Sequence, residues 1–127
     1  MLITTILSAT IAVLLLILSF RVIASRRETE TSLGAGDNLR LERRIRAQAN
    51  LTEYAPIFII LIGLAEMQDG SDLVLSLISA LFVAGRVLHG YALSFSDKSP
   101  VGRIVGMVAT FAALGLAAGF SLFIALS

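Results

Sequence analysis

Two short stretches of the sequence place residues that can do chemistry in apolar surroundings. In the first, Arg46, Asn50 and Glu53 recur at i, i+4 and i+7, a spacing that puts all three on one face of a helix. In the second, Arg86 and His89 are three residues apart and also share a helix face. Ionisable groups in an apolar span are costly, so they usually face a bundle interior or a water-filled cavity. The two stretches therefore predict a polar site inside an otherwise apolar protein.

The predicted site contains more positive charge than its one carboxylate can neutralise. Because Glu53 and Arg86 lie at matched depth along their helices, we predict that they form an ion pair. The pair could be purely structural or part of a functional site, and the sequence favours neither role. Guanidinium groups bind carboxylates through two parallel hydrogen bonds, so the surplus predicts a cytoplasm-facing cavity with an anionic ligand. The surplus groups are Arg46, Asn50, Arg86, His89, Tyr91 and Arg103.

Four long apolar stretches must position these groups. A helix needs about 20 mostly apolar residues to cross the hydrocarbon core, and the sequence predicts helices over about 2–25, 41–67, 72–95 and 100–126. Hydrophobic residues make up 57% of the chain, more than a water-soluble domain usually carries. The continuous apolar runs exclude transmembrane strands, which alternate over about ten residues. We predict one domain over residues 1–127, an all-α integral membrane bundle of four up-down helices.

The positions of Lys and Arg predict the orientation of the bundle. Lys98 and Arg103 flank the third connection, whereas the second carries only acidic residues. Because loops rich in Lys and Arg face the cytoplasm, both termini should face away from it. The first apolar run lacks a basic segment before it, so we interpret it as a retained helix and not a cleaved signal. The arginines around the first connection are Arg21, Arg26, Arg27, Arg40, Arg43, Arg44 and Arg46.

Composition excludes several classes of site. The net charge of +1 favours no nucleic-acid partner, and the absence of Cys excludes disulfides and thiolate metal sites. A single His is too few for an ordinary metal cluster. Small residues at i and i+4 on the last helix predict close helix packing, within a subunit or between subunits. These are Gly102 with Gly106 and Gly115 with Gly119.

Two segments resemble a known family. Residues 42–56 read ERRIRAQANLTEYAP, and residues 85–91 read GRVLHGY. RAQANLTEY is similar to the helix-two signature Arg-Ala-x-x-Asn-x-x-Glu-Tyr of the MAPEG family, the membrane-associated proteins in eicosanoid and glutathione metabolism. GRVLHGY is similar to the helix-three segment of that family. With the four-helix pattern and the charged first loop, the resemblance covers nearly the whole chain and is greatest to short bacterial members.

The resemblance implies a homotrimer in the bacterial inner membrane, with an active site at each subunit interface that opens toward the cytoplasm. It implies that glutathione is the co-substrate of a transferase or peroxidase reaction on a lipophilic small molecule that arrives through the membrane lipids. Arginines would hold the carboxylates of glutathione, and a nearby Arg lowers the pKa of a thiol from its ordinary value near 8.5. By motif, the glutathione contacts would be Arg26, Arg46, Asn50, Glu53, Tyr54, Arg86, His89 and Tyr91, and the catalytic residue Arg103.

Two other functions stay open from the sequence. A non-catalytic protein of the same fold would bind lipid or a protein partner, and this chain has Ala49, Val87 and Met107 where some members carry Arg or Tyr. A small transporter would use Glu53 and His89 as proton sites. Pro56 and Pro100 are the only prolines in the sequence, so the broken helices that support transport are not predicted. The loop over residues 28–40 is expected either to be disordered or to cover the site.

Overall fold

The computed structural model describes residues 1–96 and 100–127. Within those ranges the chain forms four α-helices and no strand: α1 (Leu2–Glu28), α2 (Leu39–Met67), α3 (Asp72–Ser94) and α4 (Pro100–Leu126). Each helix is long and apolar enough to cross a membrane. The all-helical fold with four spans is therefore confirmed. Lys98 lies outside the described residues.

Successive helices run antiparallel. Between α1 and α2, Thr4 contacts Glu66 whereas Ser19 accepts a hydrogen bond from Gln48 at 2.8 Å, so residue numbers rise on one helix as they fall on the other. The hydrogen bonds between α2 and α3 follow the same order, as do the contacts between α3 and α4. The chain is therefore an up-down bundle.

The core of the bundle is centred on two stacked aromatic rings. Phe58 of α2 and Phe82 of α3 are fully buried, and their ring centroids are 3.9 Å apart. Leu18, Ile62 and Leu75, from three helices, belong to the same buried cluster. Large apolar side chains also cover the outside of the bundle, which suits lipid better than water.

The closest approach of two helices lies between α3 and α4. A Cβ atom on Gly106 would lie 2.7 Å from the backbone nitrogen of His89, and one on Gly85 would lie 3.0 Å from the carbonyl oxygen of Gly106. Gly106 of the first small-residue pair therefore packs closely on α3 within the chain, which is one of the two arrangements that the sequence left open. The second pair does not, since Cβ atoms on Gly115 and Gly119 would meet nothing within 4 Å.

The first connection is an ordered turn region between α1 and α2. Arg26 Nη1 donates to the carbonyl oxygens of Thr31, Ser32 and Gly34 at 3.3, 3.2 and 2.9 Å. Asn38 then begins α2, because its side-chain oxygen accepts from the backbone N–H of Leu41 at 2.9 Å. Of residues 28–40, only Leu39 lines the cavity described below, so within one chain the rest of this loop does not cover the site.

Candidate functional site

A cavity of about 310 Å³ lies between α2, α3 and α4, at the end of the bundle where α2 and α4 begin. We call it the α2–α3–α4 cavity. It brings together four of the residues predicted from the sequence: Arg46, Asn50, His89 and Arg103. Its volume is at the lower end of the range for small-molecule sites. The remaining lining residues are Leu39, Glu42, Arg43 and Leu93.

Two arginines present unengaged guanidinium groups to this cavity. Arg46 and Arg103 are exposed and form neither a hydrogen bond nor an ion pair with the residues that the structure describes. His89 lies between them on α3 and is only 3% exposed. It is held close to α4 because its backbone packs on Gly106. The cavity therefore combines two exposed cations with one buried imidazole.

Arg86 lies behind the cavity wall and does not line it. Its side chain is 2% exposed, and its Nη1 donates to the backbone carbonyl and to the side-chain oxygen of Asn50, both at 3.2 Å. Its Nη2 donates to the sulfur of Met107 at 3.3 Å. The guanidinium carbon lies 5.6 Å from the centroid of the Tyr54 ring. Asn50 thus separates a buried cation from the cavity.

The predicted ion pair between Glu53 and Arg86 does not form within the chain. The depth prediction was sound, since Arg86 bonds to Asn50 one turn away. The rotation was wrong, because Glu53 lies at the edge of the helix face that it shares with Arg46 and Asn50, and the packing of α2 leaves that edge uncovered. Glu53 is consequently exposed on the outside of α2. In residues 1–96 and 100–127, Arg86 has no carboxylate partner.

Besides Arg86, four predicted contacts do not line the cavity within a single chain. Arg26 is engaged by the first connection, as described above. Tyr91 is 59% exposed and stacks on Phe95 at the outer surface of α3. Glu53 faces outward from α2. Tyr54 lies one turn deeper than Asn50, where its ring packs edge-on against Phe111 at 5.6 Å.

Arg43 belongs to the site but was interpreted from the sequence as an orientation signal only. Its guanidinium donates to the carbonyl oxygens of Ala92 at 2.9 Å and Ser96 at 2.6 Å, which are acceptors left open at the end of α3. It also lines the cavity. The signal was its spacing, since Arg43, Arg46 and Asn50 recur at i, i+3 and i+7 on one helix face.

The composition of the cavity favours a ligand rich in acceptors. Three arginines line it, a fourth lies directly behind Asn50, and Glu42 is the one carboxylate among the described lining residues. Guanidinium groups donate and never accept, so they suit carboxylates, phosphates or thiolates. No group of three or more His, Cys, Asp or Glu that could hold a metal occurs in the described part of the chain. The cavity is suited to binding an organic anion.

Fold and site together define a helical membrane protein with an arginine-lined cavity between its last three helices. The sequence model of the MAPEG family matches residues 4–123. The chain is also 33% identical over 103 residues to inner membrane protein YecN of Escherichia coli, covering 81% of this chain and 77% of that protein. YecN of a second Escherichia coli strain matches equally. The chain therefore belongs to the MAPEG family, as the sequence predicted, and is an integral membrane protein.

Proposed function

We propose that the protein binds glutathione in the α2–α3–α4 cavity and transfers its thiolate to lipophilic electrophiles. The observation that carries the proposal is the convergence of Arg46, Asn50, His89 and Arg103 on one cavity. Membership of the MAPEG family supports it. At the end of a membrane bundle, a polar peptide would reach the cavity from water, and an apolar electrophile would reach it from the lipid.

The chemistry of glutathione fits the lining groups one by one. A carboxylate of glutathione suits the guanidinium group of Arg46, and its ammonium suits Glu42. Arg103 approaches from α4, where its charge would stabilise a thiolate over the neutral thiol. The protein contains no Cys, so the nucleophile is the sulfur of glutathione itself.

We also propose that three chains assemble in a bacterial inner membrane, with both termini away from the cytoplasm. Glu53 supports the assembly, because an exposed carboxylate on a spanning helix is too costly to face lipid. An apolar groove of about 420 Å³ next to it, between α1 and α2, is suited to a neighbouring helix. The inner membrane location is that stated by the name of YecN.

The test is glutathione binding to detergent-purified protein, followed by the ultraviolet absorbance of the thiolate near neutral pH. Arg103→Ala is compared with Arg27→Ala, a matched control because Arg27 is exposed at the end of α1 and lies outside the cavity. We expect binding by all three proteins and a thiolate signal that only Arg103→Ala loses. A wild-type protein that is folded but does not bind at millimolar glutathione would refute the proposal.

A non-catalytic anion-binding protein is the second candidate. It is favoured by the outward position of Tyr91, which leaves no aromatic hydroxyl among the described residues that line the cavity. Such a protein would bind glutathione or another organic anion without a thiolate signal. The same experiment separates the two candidates, because binding and thiolate absorbance are read independently.

A further inference from the structure

Asn50 lies between the buried guanidinium of Arg86 and the open cavity. Its side-chain oxygen accepts from Arg86 Nη1 at 3.2 Å, and the residue also lines the cavity. Its side-chain nitrogen makes no hydrogen bond within residues 1–96 and 100–127. A fully buried nitrogen without a partner would belong with the buried unpaired atoms of Arg21, Arg44 and Arg86, and the Asn50 nitrogen does not. That nitrogen is therefore accessible.

The chemistry of the pair fixes which end of the amide faces the cavity. A guanidinium group has only donors, whereas an Asn side chain has one acceptor oxygen and one donor NH₂ group. The reversed amide would place two donors against each other, so Arg86 can tolerate only the oxygen. The NH₂ group is consequently left for the cavity.

Arg86 itself is held too firmly to follow a ligand. It is 2% exposed, it bonds to the Asn50 backbone and to the Met107 sulfur, and it lies over the Tyr54 ring. On α3 its neighbour Gly85 packs against the backbone of α4. The direction of the Asn50 amide is therefore imposed from the protein interior.

We propose that Arg86 is a positioning residue that fixes the Asn50 amide with its NH₂ group toward the cavity, so that this point accepts a carboxylate or carbonyl and rejects an N–H donor. Arg86 acts through Asn50 and touches no ligand. The choice of glutathione as probe rests on the proposed function, whereas the orientation of the amide does not.

The first test needs no ligand. The sequence contains only two asparagines, Asn38 and Asn50, so protein labelled with ¹⁵N at Asn shows two side-chain NH₂ pairs. Loss of a guanidinium partner at the carbonyl changes the shielding of the amide nitrogen. We expect Arg86→Met, an apolar change of similar length, to move the Asn50 pair and Arg86→Lys to restore most of the shift. The Asn38 pair is the internal control, because its oxygen caps α2.

The second test uses Asn50→Asp. The new carboxylate keeps an oxygen toward Arg86 and presents its second oxygen, an acceptor, to the cavity. We expect glutathione affinity to fall at least tenfold. Each of the two monoamides of glutathione has an amide in place of one carboxylate. We expect Asn50→Asp to bind one of these monoamides more tightly than glutathione, because the amide N–H of the ligand can donate to the new carboxylate.

The outcomes separate this inference from the proposed function. If the Asn50 NH₂ pair does not move in folded Arg86→Met, the inference is overturned whatever the ligand result. It is also overturned if the wild type binds glutathione and Asn50→Asp, like the wild type, still prefers glutathione over each of its two monoamides. If wild type binds no glutathione but the NMR shift and its rescue by Lys are observed, the proposed function fails and the positioning role stands.

Discussion

Arginine has three distinct roles within a few ångströms in this protein. Arg46 and Arg103 are exposed in the cavity, Arg43 and Arg21 bond to carbonyls at the end of α3, and Arg86 is buried behind Asn50. The same side chain serves each role because it is planar, permanently charged and rich in donors. Substituting each arginine in turn should therefore give different defects.

For Arg46, the expected defect is in ligand affinity alone. Arg46→Ala removes an exposed cation that forms no bond within the described chain, so stability should change little. The Kd for glutathione should rise about tenfold, equivalent to about 1.4 kcal/mol. Calorimetric titration at two salt concentrations measures this, and the variant should also lose part of the salt dependence. Arg27→Ala serves as control, and equal affinities of the two variants would contradict the prediction.

Residue types and spacing predicted the site better than they predicted its contacts. Arg46 and Asn50 line the cavity as expected because positions i and i+4 share a helix face whatever surrounds the helix. The pairing of Glu53 with Arg86 failed because sequence gives depth along a helix but not the rotation of one helix against another. Tyr91 faces outward for the same reason, since only the packing of α3 on α4 decides which side of α3 is covered.

At the scale of helices, the close contact between α3 and α4 supports the site directly. His89 on α3 and Arg103 on α4 converge on the cavity because Gly106 lets the two backbones meet. Any side chain on Gly106 would have to displace backbone atoms, which cannot rotate away.

We therefore expect Gly106→Ala to destabilise the protein by about 1–3 kcal/mol and to weaken anion binding. Gly115→Ala is the matched control, because its Cβ would meet nothing within 4 Å and Ala favours a helix over Gly by up to about 1 kcal/mol. Thermal unfolding in detergent compares the two. Equal melting temperatures for both variants would show that the contact between α3 and α4 is not as tight as described.

A second helix contact lies at the other end of the bundle. The carboxylate of Glu66 on α2 accepts from the backbone N–H groups of Ile3 and Thr4, both at 2.9 Å, and from the Thr4 hydroxyl at 2.6 Å. The amino group of Met1 lies 3.1 Å from it. One side chain thus satisfies two of the backbone donors that the first turn of α1 leaves open.

Glu66→Gln should lower the free energy of unfolding by about 1–3 kcal/mol, because an amide replaces one acceptor with a donor that faces other donors. Asp69→Asn is the control at the same end of the bundle. Asp69 is exposed at a φ of +56°, a conformation that Asn adopts as readily. Denaturant unfolding in micelles measures both variants. A stability loss no larger than that of Asp69→Asn would contradict this role of Glu66.

For the molecule as a whole, the uneven distribution of charge gives a direct test of topology. Nearly all arginines of the described residues lie at the end of the bundle that carries the cavity, whereas the opposite end carries Glu66, Asp69 and Asp72. The positive-inside rule then predicts that the cavity faces the cytoplasm. The four apolar runs were predictable from sequence because each is a local property of about 20 residues.

The lack of Cys makes this orientation easy to measure. In intact cells, Ser127→Cys should react with a membrane-impermeant maleimide, because the C-terminus is expected to face away from the cytoplasm. Ser32→Cys, in the exposed first connection, should react only after lysis. The reverse pattern would place the cavity outside the cytoplasm, where no supply of cytosolic glutathione reaches it.

The bonds made by Glu66 also have a consequence for biogenesis. α1 leaves the ribosome before α2, yet the amide donors of its first turn gain their partner only when residue 66 has been synthesised. Until then those donors depend on water. The first two helices should therefore enter the bilayer together as a helical hairpin, and a nascent chain stopped before residue 66 should leave α1 poorly anchored.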